Sequence, residues 1–258
     1  MHASNLKAAP DEWDQHWSAT AHVNALNPAQ VYRRKLIFEA LGLATAVGPV
    51  RLLELGSGSG EFARDVRRRR PDAEIVGLDL SSVGVELSQR NVPGARFFQQ
   101  DFTQPMKLDD GYRNWATHAV CSEVLEHIDD PVAVLRNIRP FLAPGCRLVI
   151  TVPGGPMSAF DRHIGHRRHF TPALVEGLLR DADLRVADVR GAGFPFFNIY
   201  RLAVVARGKK LIEDAADKND ATLPRSARVA MRIFSWLFAM NTSKARLGWQ
   251  LVGVGTRP

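Results

Sequence analysis

Two groups of residues in this chain are spaced for chemistry. The first is the run Glu54-Leu55-Gly56-Ser57-Gly58-Ser59-Gly60, which leaves an apolar stretch of strand length and enters a helix-like segment. Glycines allow a tight turn and close approach of the backbone to a bound molecule, and the amides of a following helix supply hydrogen-bond donors. Taken alone, such a triplet reads equally well as a tight strand-to-helix turn. Asp79 lies 19 residues beyond Gly60, at the predicted end of a second strand, where a carboxylate accepts both hydroxyls of a ribose. Asp101 follows a third strand with Phe102 beside it, a pair able to bond an adenine amino group and cover its ring. Each acid by itself reads as a turn residue. Three successive strand ends, each offering the right group, make a nucleoside site the better joint reading.

The second group is histidine. His127, His163, His166 and His169 fall after the fourth and fifth predicted strands. Imidazole titrates near neutrality and can take a proton from a reacting hydroxyl, an effect typically worth about 10² to 10⁴ in rate. His166 follows Gly165 in a polar loop and is the first candidate base, with His163 second. His127 also reads as a packing residue at a helix start, and His169 as a residue that fixes the turn before Thr171. Arg167 and Arg168 either hold an acidic or polyhydroxylated acceptor or pair with surface acids. The histidines show no carboxylate partner pattern in sequence, so no metal site is expected.

The elements that must hold these groups alternate. Apolar runs at 51–55, 74–79, 95–98, 117–121, 146–152, 184–189 and 249–254 read as strands, with helix-period stretches between most of them. That alternation predicts a parallel sheet with helices on both faces. A helix begins near Pro28 after Asn27 and ends near Gly42, and another starts at Pro172 behind the cap residue Thr171. The Arg67–Arg70 run closes a helix, where cations complement the macrodipole, and stops at Pro71. At 258 residues and 45% hydrophobic content the chain is read as a single domain. Its parts are an N-terminal helical cap (1–48), an α/β core (49–190 and 247–258) and a helical insertion (191–246).

Composition bounds the partners. Cys121 and Cys146 lie in apolar stretches and give neither a disulfide framework nor a zinc cluster, which fits a reducing, cytoplasmic setting. Neither a secretory leader nor a spanning run of roughly 18 apolar residues is read in the chain. The net charge of +7 is concentrated toward the C-terminal end, where 225–258 holds no acid. Residues 225–240, RSARVAMRIFSWLFAM, form a helix with one polar stripe and a broad apolar surface. Two roles stay open for it: a roof over an acceptor pocket at the carboxyl edge of the sheet, or a helix lying in an anionic membrane surface.

LLELGSGSGEF, IVGLDLS, QQDFT and CSEVLEHIDDP, spanning about residues 50–155, resemble the ordered motifs of class I S-adenosylmethionine-dependent methyltransferases. The resemblance implies a Rossmann-like, doubly wound sheet of seven strands, the last antiparallel, with S-adenosylmethionine as cofactor. It implies that Glu54 anchors the glycine loop, and that Gly56, Ser57, Gly58 and Gly60 bracket the methionine portion. Asp79 with Leu80 would hold the ribose, Asp101 with Phe102 the adenine, and Ser122 would complete the set. The segment GHRRHFTPALVEGLLRDADLRV is similar to the region after the fifth strand in quinone and saccharide O-methyltransferases. This implies a small, saccharide or lipid-linked acceptor rather than nucleic acid, and leaves the oligomeric state open. A nicotinamide dehydrogenase would want glycine at 61, where Glu61 would face a pyrophosphate; a sulfonium donor tolerates that acid. A non-catalytic S-adenosylmethionine-binding module and a membrane-surface adaptor are the alternatives from other classes.

Overall fold

The computed structural model describes residues 13–15, 17–18, 27–208 and 225–258. Helix α1 (Pro28–Leu41) starts where the local chemistry directs: the Asn27 side chain accepts from the Ala29 amide at 2.9 Å, and Pro28 occupies the first turn, where no amide is needed. Gly42, at φ 71°, ends it in the left-handed conformation.

Seven strands follow: β1 (Arg51–Leu55), β2 (Glu74–Asp79), β3 (Arg96–Gln99), β4 (Ala116–Ser122), β5 (Leu142–Pro153), β6 (Arg185–Ala192) and β7 (Gln250–Thr256). They form one sheet in the order β3-β2-β1-β4-β5-β7-β6. β1 to β5 pair in parallel, while β7 runs antiparallel to both β5 and β6, as the resemblance implied.

Both faces are covered, and the strands alternate between two cores. Leu53, Leu55, Val76, Leu78, Leu148 and Ile150 point to the face covered by α4 (Pro131–Ile138) and α6 (Pro172–Asp181). Leu52, Ile75, Val149, Val252 and Val254 point to the opposite face, with α1 and α2 (Glu61–Arg69). α3 (Ser82–Asn91) packs beside β2 and β3. On β7, Gly253 must be small, since a methyl group there would lie 2.5 Å from Val175 of α6. Strand order reverses between β1 and β4, and the crevice at their carboxyl ends is where open α/β sheets bind ligands.

A short helix, α5 (Ala159–His163), follows β5. Between β6 and β7 lie α7 (Phe196–Ala206) and α8 (Arg225–Ala239). Residues 209–224 of the expected helical insertion fall outside the described residues. α8 packs chiefly on α1 and α7. The reason is aromatic. Phe234 and Phe238 meet Tyr200 at ring separations of 5.3 and 5.7 Å, and Phe238 also meets Tyr32 and Phe197. Among the described residues no helix is long and apolar enough to cross a membrane.

Candidate active site

The glycine loop is built by backbone conformations that side chains resist. Gly56, Gly58 and Gly60 have φ of 72°, 53° and 78°. The amides of Gly56 and Ser57 donate to the Leu78 carbonyl at 2.8 and 3.0 Å, tying the turn to the end of β2. Asp79, which leaves β2, is 6% exposed and closes the same turn: one carboxylate oxygen accepts from the Gly58 amide at 2.7 Å, the other from the Ser81 amide at 2.9 Å. Burial raises its pKa, against the lowering effect of those amides. Behind the loop, Glu54 is buried, and its carboxyl is pushed up to about 8 by desolvation and by Asp79. The Ser57 hydroxyl is buried with no hydrogen-bond partner among the described residues.

The remaining expected donor contacts divide. Leu80 is exposed at the strand end, and its carbonyl accepts from Gln99 at 3.0 Å. Asp101 bends into its own turn, with one oxygen accepting from the Thr103 amide and hydroxyl at 2.9 and 2.7 Å. Phe102 is 6% exposed and belongs to the hydrophobic core; its ring covers core side chains, because burial there removes the whole ring from water. Ser122 accepts from the Thr151 hydroxyl at 2.9 Å, between β4 and β5.

Residues 13–15 and 17–18, whose acid and tryptophan pattern points to no site in the sequence, lie across this loop. A methyl group on Gly58 would fall 2.4 Å from the Trp17 ring. Asp14 accepts from Ser81, Ser82 and the Val83 amide at the start of α3, which holds its pKa below the usual value. Trp13 stands edge-on to His127 at 4.8 Å. The glycine turn, Asp79 and this aromatic wall are compatible with a nucleoside carrying a positively charged sulfur, and the acid Glu61 opens α2 beside them.

The histidines converge, except one. His127 and His166 are edge-to-face at 4.8 Å, and His166 Nδ1 lies 3.3 Å from His169 Nε2. His163 ends α5 and is exposed. His166 does not lie open in a polar loop: its side chain is 8% exposed, held by backbone bonds from the His166 amide to the Asp161 carbonyl and from the Arg167 amide to the Glu126 carbonyl. Burial and His127 push its pKa down to about 3, so the free imidazole is neutral. Burial also lowers His169, whose Nδ1 lies 3.1 Å from the Gly155 carbonyl.

Carboxylates do accompany the histidines, which corrects the sequence reading. Glu126 is fully buried, 4.0 Å from His166, and neither carboxylate oxygen has a hydrogen-bond partner among the described residues. Burial and Glu123 raise its pKa well above the usual range. Asp161 lies 3.8 Å from His169. Burial alone would raise Asp161, but the bonds from Arg201 of α7, at 2.9 and 3.1 Å, and from Ser158 outweigh it and hold the group ionised. Glu126, His127 and His166 offer ligand atoms within 4.8 Å of one another, and so do Asp161, His166 and His169.

A further set, Glu123 with Arg33 and Gln250, carries no sequence signal. Glu123, just past β4, has φ 54°, a strained value for this residue type of a kind that clusters at functional sites. It pairs with Arg33 of α1 at 2.9 Å and accepts from Gln250 of β7 at 3.1 Å. Arg167 and Arg168 meet surface groups: Arg167 pairs with the Asp129 carboxylate and Arg168 donates to its carbonyl at 2.9 Å.

A methyltransferase domain family model matches residues 29–189. The ubiquinone biosynthesis O-methyltransferase of Aeromonas salmonicida is 27% identical over 170 residues, covering 59% of this chain and 70% of that protein. The enzyme of the same name from Xanthomonas oryzae pv. oryzae is 26% identical over 222 residues, covering 79% and 90%. Among solved structures, a complex of the Haloferax volcanii Trm112 methyltransferase activator with a methyltransferase matches at TM-score 0.62 and 18% identity, covering 97% of this chain and 99% of that one. This last likeness is one of fold.

Proposed function

Since the chain belongs to the methyltransferase domain family and is a class I S-adenosylmethionine-dependent methyltransferase, we propose that it methylates a hydroxyl oxygen of a small acceptor, with His166 receiving the proton. The observation that carries this reading is the buried His166 in contact with His127 and His169 after the carboxyl ends of β4 and β5. S-adenosylmethionine supplies a methyl carbon already activated by positive sulfur. The acceptor oxygen forms the new C–O bond as the C–S bond breaks, and the hydroxyl proton passes to the imidazole. Burial disfavours the imidazolium, and the ionised Asp161 beside His169 works in the opposite direction by stabilising the positive charge that results. Asp79 and the glycine turn would hold the donor, and alignment of the two reactants can contribute roughly 7 to 11 kcal/mol.

The names of the relatives favour a phenolic quinone precursor as acceptor; a saccharide or lipid-linked saccharide is the runner-up. Turnover of labelled donor with a panel of phenols, catechols and saccharides tests the choice. His166→Ala is expected to lower kcat by about 10² to 10⁴ while donor affinity holds, and exposed His163→Ala to change neither. Full turnover in His166→Ala would remove the base assignment. Asp79→Ala is expected to weaken donor binding about tenfold or more by calorimetry, since it removes a charged acceptor worth roughly 1.5 to 3 kcal/mol per bond.

One observation favours a second reading. The buried Glu126 carboxyl without a hydrogen-bond partner, grouped with His127 and His166, is a donor set that a divalent cation fits, and such an ion would hold an acceptor with adjacent hydroxyls. Turnover abolished by chelation and restored by Mg²⁺ or Mn²⁺ selects this reading; turnover untouched by chelation selects histidine alone.

A further inference from the structure

We propose that the outer face of α8 docks on the surface of an anionic lipid bilayer. α8 uses one side for its own protein: Phe238 is 3% exposed, Phe234 is partly buried against the aromatic cluster of α1 and α7, and Leu237 is partly buried. A second stripe is left in solvent. Val229, Ile233, Trp236 and Met240 are 55%, 52%, 67% and 47% exposed, and their spacings of four, three and four align them along one face of the helix. Single exposed apolar residues are ordinary, but an aligned set centred on a tryptophan is the mark of an interaction surface.

Charge identifies the occupant. Arg232 is exposed next to this stripe, Lys244 and Arg246 are exposed just beyond the helix, and none of the three has an ion pair among the described residues. From 225 to 258 there is no acid to neutralise them; the acids at 213–220 lie outside the described residues. A second copy of this chain, seated face to face about a two-fold axis, would set these cations against their own copies. A bilayer bearing anionic headgroups instead receives the apolar stripe between the chains and the cations at headgroup level, with tryptophan at the boundary it favours. At about 1.5 Å per residue α8 is too short to cross the hydrocarbon layer, so it lies flat. The docking does not depend on which acceptor is methylated or on which group takes the proton.

Sedimentation of the full chain with vesicles provides the test, using phosphatidylcholine alone and phosphatidylcholine mixed with phosphatidylglycerol. The wild type is expected to pellet with the mixed vesicles and not with the neutral ones, and to lose most of its binding as salt shortens the screening length from about 10 Å to about 3 Å. Trp236→Ser/Ile233→Ser and Arg232→Glu should each reduce binding at least tenfold while circular dichroism and S-adenosylmethionine binding stay as in the wild type. Protein that remains in the supernatant throughout, pellets equally with neutral vesicles, or binds undiminished in the double variant overturns the proposal. So does a concentration-dependent dimer in gel filtration, abolished by Trp236→Ser/Ile233→Ser, in a protein that binds no vesicle.

Discussion

At the scale of single residues, the site is governed by burial of groups that would be charged in water. His166 is pushed down to about 3 and Glu54 up to about 8, so both are held neutral over part of the pH range where an unfolded chain would ionise them. The two consequences for stability have opposite signs. Below the ordinary histidine value of about 6.5 the unfolded chain binds a proton that folded His166 refuses, so stability falls as pH drops from there toward 3. Above the ordinary carboxyl value of about 4.3 the unfolded chain releases a proton that folded Glu54 keeps, so stability also falls as pH rises toward 8. Thermal melts across this range should therefore show a maximum near the middle. His166→Gln is expected to flatten the acid limb and Glu54→Gln the alkaline one. An acid limb of unchanged slope in His166→Gln would show that its imidazole titrates normally in the folded protein.

At the scale of elements, the histidine cluster is held by a helix from the insertion. Arg201 of α7 reaches Asp161 at the start of α5, and both side chains are largely buried. Removing one partner of such a pair leaves a buried charge, at a typical cost of about 3 to 5 kcal/mol. Arg201→Met should lower the melting temperature correspondingly, and Arg201→Met/Asp161→Asn should recover much of the loss. No recovery in the double variant would mean that Arg201 acts through packing. This pair was not legible in the sequence, since 40 residues separate its members and only the finished topology joins them. Glu123 with Arg33 and Gln250 was hidden for the same reason. What could be read was local: the Asn27 and Gly42 ends of α1, the Thr171 cap of α6, and the glycine turn between β1 and α2, where one or two residues dictate the backbone. The burial of Phe102 was not legible, because an aromatic beside a strand-end acid signals a ligand contact or a core residue with the same letters. Asp161 did carry a local mark, three residues after Ser158 in a reciprocal cap that the structure contains.

At the scale of the whole molecule, the sheet order separates chain order from spatial order. β7 sits between β5 and β6 and supplies the backbone partners of both, from Thr256 opposite Arg147 and Arg185 to Gln250 opposite Pro153 and Ala192. A chain emerging from the ribosome has therefore made both flanking strands, and α7 and α8 as well, before the strand that joins them exists. During that interval β5 and β6 each present an unpaired edge, and the apolar residues that β7 covers stay wet. A chain stopped after Trp249 is expected to be insoluble, or captured by chaperones, although the glycine turn, Asp79 and every histidine of the cluster are intact; a soluble truncated form that binds S-adenosylmethionine would contradict this. Synthesis thus imposes a delay on the protein. Residues 54–79 encode the proposed donor site early, yet the sheet that stiffens it is completed only by the seven residues Gln250–Thr256.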